Sequence, residues 1–321
     1  MVSRLNITPQ DICLFHVGGS GQYGPIDAIL NQWPRRCVMV AIEARQDPGD
    51  VEVLKALGVR SMLVNACIAE TTGRATFYVA RHPESSSLLM PGGLGEHMGA
   101  NLGDNIDRWD EQAATDHTTE VDTLSLMDLV GQLGVTPEVL SLDVQGMELP
   151  IMRGLGPFMR LVNVVVSEVE FHEVYQGQAL FHDHMAFLHP NGFRLAALLN
   201  PQMWHPGPSA GQGFLTVAEA LWFRTIESFL SIHLHNHDPH LGEQGVNLAA
   251  VAVAFDRFSY SYTLLKRLGE IVTPQRVMEL CESAGYGFLV QLVKAIEEHM
   301  EDYQRDKKLF LQHLQVEWKG A

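Results

Sequence analysis

The apolar run Leu14-Phe15-His16-Val17 breaks at Gly18 into a stretch holding four glycines, Gly18, Gly19, Gly21 and Gly24. A chain that leaves a buried strand through such a loop and resumes as a helix can turn tightly. Without Cβ atoms, its backbone N–H groups can also approach a ligand closely. The order Gly19-Ser20-Gly21-Gln22-Tyr23-Gly24 satisfies G-x-G-x-x-G, and the next apolar run ends in Glu43, at the distance expected of a carboxylate that grips ribose hydroxyls. Strand, glycine loop, helix, strand and acid in that order point to a nucleotide-type site in an α/β protein. A tight βα turn that binds nothing would leave the same pattern.

Hydrophobic periodicity predicts strands over 12–17, 37–42, 61–68, 75–79 and 139–144, and a central, doubly buried strand over the β-branched run 161–169. Helices are expected over 23–33, from Asp47-Pro48 to Leu57, over 123–133, from Gln145-Gly146-Met147-Glu148 through Leu155, and over 178–188. After the turn Pro190-Asn191-Gly192, the runs 193–199 and 219–224 read as a hairpin, which makes the sheet mostly parallel with an antiparallel edge strand. Between 81 and 118 the composition turns to serine, glycine and polar residues, with Ser85-Ser86-Ser87 and Pro91-Gly92-Gly93-Leu94-Gly95. A stretch of this kind is expected either to form a lid over a substrate or to be disordered.

Beyond Arg224 the pattern becomes helical, which divides the chain into an α/β domain over 11–224 and a helical C-terminal extension over 225–321. Helices are expected over 248–268, from Thr273-Pro274 to Ala284, and onward from Phe288. Leu289, Leu292, Val293, Ile296, Met300 and Tyr303 form a stripe on the last one, fit either to pack on the main domain or to join a homodimer. Histidines recur at 182, 184 and 189 on a predicted helix and at 233, 235, 237 and 240 on a polar connector. The connector's histidines read as adventitious surface groups rather than metal ligands.

A formal net charge of −16 repels polyphosphate, so nucleic acid and anionic membranes are not expected as partners. No apolar run approaches the length of a membrane span, and the first ten residues lack a secretory pattern, so a cytoplasmic setting is expected. Cys13, Cys37, Cys67 and Cys281 fit neither a disulfide framework nor a zinc site and read as reduced, mostly buried thiols.

In an open parallel sheet, ligands bind beyond the carboxyl ends of the strands where strand order reverses. If strands 12–17 and 139–144 flank that point, the glycine loop faces Asp143, with Glu43 on one side and Glu168, Glu170 and His172 on the other. Asp143 could instead be only a helix cap, and Glu168, Glu170 and His172 a solvated strand end.

The strings Phe15-His16-Val17-Gly18-Gly19-Ser20-Gly21, Ala41-Ile42-Glu43-Ala44, Val121-Asp122-Thr123-Leu124, Leu142-Asp143-Val144-Gln145-Gly146-Met147-Glu148 and Asn191-Gly192-Phe193 resemble the FkbM-family methyltransferases. The resemblance spans roughly 11–224 and implies a class I methyltransferase (Rossmann-like) fold that uses S-adenosylmethionine. It also implies O-methylation of a hydroxyl on a small-molecule acceptor such as a sugar or natural product. It assigns the methyl donor to His16, Gly18, Gly19, Gly21, Glu43, Ala44, Cys67 and Asp143. For a hydroxyl acceptor, Asp143 or His172 is the expected base, with Glu168 orienting it or helping to hold a divalent cation such as Mg, for which Asp143 and Glu168 are the candidate ligands. Two positions depart from the family pattern: His16 stands where an acid is usual, and Gln145 where the family reads Glu. A nicotinamide-dependent oxidoreductase suits the glycine pattern and Glu43 equally, although no tyrosine–lysine relay follows the middle strand. A non-catalytic binding subunit is the third reading, suggested by His16, Gln145 and the added helices.

Overall fold

The computed structural model describes residues 7–19, 22–44, 49–92, 99–102, 105–205 and 213–298. They divide into two compact units, one built on Ile12–Ser228 and one on the residues from Phe229 together with Thr8–Asp11. The first opens with β1 (Ile12–Gly18), α1 (Asp27–Gln32), β2 (Cys37–Glu43), α2 (Gly49–Leu57), β3 (Arg60–Asn65), β4 (Cys67–Ala69) and β5 (Gly73–Ala80). Next come β6 (Gly99–Leu102), β7 (Asn105–Arg108), α3 (Trp109–Gln112), β8 (Thr115–Ser125), α4 (Leu126–Leu133) and β9 (Val139–Asp143). It closes with α5 (Glu148–Gly154), β10 (Val164–Glu170), α6 (Phe181–Leu188), β11 (Phe193–His205) and β12 (Phe214–Arg224).

Among the described residues nine strands form one sheet in the order β3-β2-β1-β9-β10-β12-β11-β6-β7, and β4-β8-β5 form a second. β3, β2, β1, β9 and β10 run parallel, and β12 runs against both its neighbours. From β3 to β11 the sheet is thus mostly parallel, as expected of an α/β fold. The reversed strand lies between β10 and β11 rather than at the margin, and the β6–β7 hairpin extends that edge. β1 and β2 are buried along nearly their whole length, which is why their sequences are continuous apolar runs rather than alternating ones. The chain winds from β1 out to β3 and returns on the other side of β1 as β9, so strand order reverses between β1 and β9.

Several expected elements are drawn differently. The single strand over 61–68 is two, β3 in the large sheet and β4 in the small one. The chain turns at Ala66, whose N–H donates to Glu43 O. The helix expected from Thr123 starts only after Ser125, whose Oγ accepts from Asp128 N as an N-cap. Thr123 and Ser125 instead pair with β4, as the end of β8. The stretch 81–118 is not structureless in its described parts. It makes a 3-10 turn at Pro83–Ser85, the β6–β7 hairpin, α3 and the start of β8, while Gly93, Leu94 and Gly95 lie outside the described residues.

At the end of β12, Arg224 is 1% exposed. Its Nε donates to Val162 O, Nη2 to Met159 O and Nη1 to Asn191 O, each at 2.8 Å. Its guanidinium also lies 4.3 Å from the centre of the Phe193 ring. The planar fork closes three carbonyls at once, two from the turn at Met159 and Val162 and one from Asn191, which a lysine cannot do.

The division between the units falls within α7 (Ile226–His235). The second unit continues with α8 (Leu241–Ala254), α9 (Phe258–Val272), α10 (Pro274–Ser283) and α11 (Gly287–Glu298). α8 is buried nearly all round, as the apolar centre of a helical cluster must be. Its Asn247 donates to Asp11 O at 3.2 Å and accepts from Tyr286 Oη at 3.3 Å. The helix expected over 248–268 breaks at Asp256, which takes φ +58°; neither Gly nor Pro marks the break.

The polar connector is also corrected. His233 belongs to α7, is 3% exposed, and meets Asp238 Oδ2 at 2.7 Å, so it is an interior group rather than a surface one. Of the stripe on α11, Leu289, Leu292, Val293 and Ile296 are already buried within the chain; Met300 and Tyr303 lie outside the described residues. All four cysteines are free thiols, three of them buried. Among the described residues no helix is long and apolar enough to cross a membrane.

Replacing Arg224 by Met strands buried carbonyls and should cost about 3 kcal/mol or more, with Arg224→Lys recovering under half of it. Urea unfolding followed by circular dichroism measures both, and a loss below about 1 kcal/mol for Arg224→Met would contradict this role.

Candidate active site

Strand register sets out the site. Gly18 pairs with Asp143 across β1 and β9. Glu43 follows Ile42, the partner of Val17, on the other flank of β1. Glu168 follows Ser167, the partner of Leu142, and pairs in turn with Glu219 of β12. Glu43, Gly18, Asp143, Glu168 and Glu219 therefore form one row along the carboxyl ends of the strands, across the point where strand order reverses. An open α/β sheet places its ligand at such an edge.

The glycine loop does not have the form expected of it. Gly19 N–H donates to Asp143 O at 3.1 Å, and Gln22 N–H donates to Gly19 O at 2.9 Å. These two amides are spent inside the chain and do not form the expected cradle. Gly18 and Gly19 take φ +82° and +80°, and a Cβ on Gly18 would lie 1.9 Å from Asp143 O. Their role here is to let β1 end against β9, a close approach that only glycine permits. Gly21 lies outside the described residues.

His16 is 2% exposed and its Nδ1 lies 2.9 Å from Ser141 Oγ on β9. Its Nε2 lies beside the point where a Cβ on Gly19 would fall. Burial lowers its pKa to about 4, against the pull of the Gln22 and Gly18 backbone, so the ring is neutral near pH 7. His16 thus braces the glycine loop against β9.

The acids make the strongest field in the site. Gln145 Nε2 bridges Asp143 Oδ1 and Glu168 Oε2, each at 3.2 Å. Glu148, 1% exposed, accepts from Val144 N at 2.8 Å and Gly146 N at 3.3 Å. Burial nevertheless pushes its carboxyl up to about 7. Burial, then the charges of Asp143, Glu170, Glu148 and Glu219, hold Glu168 well above the ordinary range. Burial does the same to Glu170, with Glu148 adding to it. Asp143 is raised by burial, despite the Gln145 bond.

Of the expected catalytic residues, Asp143 and Glu168 are brought together. His172 is half-buried with its ring edge-on to Phe214 at 6.2 Å, and among the described residues it bonds to neither acid. Ala44 is exposed just past Glu43, which is buried. Cys67 opens β4, and burial raises its thiol to about 11. Among the described residues no three His, Cys, Asp or Glu side chains converge as a metal ion requires, and the Gln145 amide spans the expected pair, Asp143 and Glu168. Tyr175 and Glu219 did not emerge from the sequence. For Glu219 a signal existed, an acid set between Ala218 and Ala220 in an apolar run; for Tyr175 there was none.

The family model described as "Methyltransferase FkbM domain" matches residues 21–195. No curated protein matches the chain. Among solved structures, the crystal structure of glycinamide ribonucleotide transformylase 1 from Symbiobacterium toebii aligns at 12% identity. That alignment covers 79% of this chain and 93% of that one with a TM-score of 0.25, a likeness too weak to bear on fold or chemistry.

Two buried groups titrate in opposite senses. His16 falls from 6.5 to about 4 on folding, so its contribution is complete above pH 6.5 and is lost as pH falls through 4. The stability of wild type relative to His16→Gln should therefore rise by about 3 kcal/mol between pH 4 and 6.5. Glu148 rises from 4.5 to about 7, so its contribution is complete below pH 4.5 and is lost as pH rises through 7. Wild type relative to Glu148→Gln should fall by about 3 kcal/mol over that window. Urea midpoints across pH read both slopes; parallel profiles would show that neither group is buried as described.

Proposed function

The chain belongs to the FkbM methyltransferase family, and from that premise we propose that it transfers a methyl group from S-adenosylmethionine to a hydroxyl of a small acceptor such as a sugar or natural product. The observation that supports this most is the juxtaposition of Glu43, Gly18 and Asp143 on three adjacent strands, with Glu168 beside them. A row of carboxylates at that edge suits a donor that carries a positive sulfonium. It opposes one that carries a pyrophosphate, which would also need the Gly19 amide already given to Asp143 O. The nicotinamide reading is disfavoured on both grounds.

S-adenosylmethionine supplies a methyl group on a leaving sulfur that departs without acid assistance. Glu43 would hold the ribose diol with its carboxylate, a charge-assisted contact. Gly18, whose missing side chain lets β1 close on the Asp143 backbone, fixes the end of β9 beside the donor. Asp143 takes the proton of the acceptor hydroxyl, with Glu168 held beside it by the Gln145 amide. Orientation does most of the remaining work in an in-line transfer.

Calorimetry with S-adenosylmethionine, S-adenosylhomocysteine and NAD tests the donor. Both sulfur ligands should bind and NAD should not, and Glu43→Gln should weaken S-adenosylhomocysteine by about tenfold or more. Mass spectrometry of a hydroxyl-acceptor panel tests the transfer, which Asp143→Asn should lower by about a hundredfold or more. Binding of NAD alone, or full transfer by Asp143→Asn, would overturn the reading.

A further inference from the structure

Gln145 takes φ +56°, a conformation that non-glycine residues seldom adopt. The turn brings its side chain back across the ends of β9 and β10. Its Nε2 donates to Asp143 Oδ1 and Glu168 Oε2 at 3.2 Å each. A primary amide has two N–H groups, so each carboxylate receives one and none is left over. Among the described residues, Asp143 Oδ2 and Glu168 Oε1 keep their lone pairs free of hydrogen bonds.

The other end of the amide is fixed as well. Tyr175 Oη lies 3.0 Å from Gln145 Oε1 and 2.9 Å from Ser85 O, and shares its one proton between them. Tyr175 is wholly buried with Trp109 edge-on at 5.4 Å, so the hydroxyl cannot swing away. The Gln145 main-chain carbonyl accepts from Ser87 Oγ at 2.7 Å, which fixes the backbone of the turn. With two acid oxygens on one side and a phenol donor on the other, the amide has one sensible orientation.

A cation between the two acids would satisfy them but would also draw charge from the oxygens needed as a base. An amide satisfies one oxygen of each by hydrogen bonds and brings no charge of its own. We propose that Gln145 is a positioning residue: its amide, anchored by Tyr175, holds Asp143 and Glu168 by one oxygen each, fills the place between them that a cation would take, and leaves the other two oxygens to the acceptor hydroxyl. The kinetic part rests on the methyl-transfer reading; the structural part does not.

Two measurements need neither donor nor acceptor. In nitrogen-15 spectra of the whole chain, the Gln145 side-chain amide, identified by its loss in Gln145→Met, should exchange with solvent about tenfold or more slowly than exposed glutamines, and should shift in Glu168→Gln. Exchange at the rate of exposed glutamines would overturn the proposal. In electron paramagnetic resonance titrations, Gln145→Glu should bind one Mn²⁺ about tenfold or more tightly than wild type, and adding Glu168→Gln should abolish the gain. Equal binding by wild type and a folded Gln145→Glu would also overturn it; if that variant does not fold, the amide exchange decides. With an acceptor from the panel, Gln145→Met should lower kcat by about tenfold while the KM for S-adenosylmethionine stays within about threefold. A change in KM alone would count against the role.

Discussion

The close approach of β1 to β9 at Gly18 is the constraint on which the site depends. No side chain fits there, because a Cβ would fall 1.9 Å from the Asp143 carbonyl. That carbonyl then receives the Gly19 amide, so the end of β1 and the end of β9 are tied at one point. His16 and Ser141, register partners two steps back from that pair on the same two strands, repeat the tie through side chains. Everything placed on the row, from Glu43 to Glu219, inherits its position from that junction.

With the edge fixed, the acids can be held closer than their charges favour. Glu148 is held by two backbone N–H groups, Glu219 by Asn200 at 2.6 Å, and Asp143 with Glu168 by a single glutamine. These bonds favour the charged carboxylates, while burial and their neighbours' charges raise their affinity for protons, so the site is strongly basic for a cluster of acids. Such a region favours cationic groups and groups that give up a proton, and disfavours phosphates. The net charge of the whole chain, −16, acts in the same direction at longer range.

The frame of this site was legible in the sequence because each strand there is an apolar run that ends in an acid or a glycine. Glu43, Asp143 and Glu168 stand at such ends, and the ladder from β2 to β10 places them side by side. What the sequence concealed are contacts between residues far apart in the chain. The Gln145 bridge to Glu168 and the Tyr175 hydroxyl to Gln145 Oε1 leave no periodic trace. The glycine pattern misled for a physical reason: glycine is required equally where a backbone approaches a ligand and where it approaches another strand, and here the strand takes it. The breaks at Ala66 and Asp256 were missed because neither carries a Gly or Pro. His233 was misread because its neighbours His235 and His237 are exposed while it faces inward.

The central claim is that the edge formed by Glu43, Gly18 and Asp143 holds an adenosine-bearing methyl donor. A crystal structure of the chain with S-adenosylhomocysteine tests it most directly. The ribose hydroxyls are expected on the Glu43 carboxylate, with the sulfur facing the end of β9 beside Asp143. A ligand seated elsewhere on the chain, or in this crevice with Glu43 making no contact to the ribose, would contradict it.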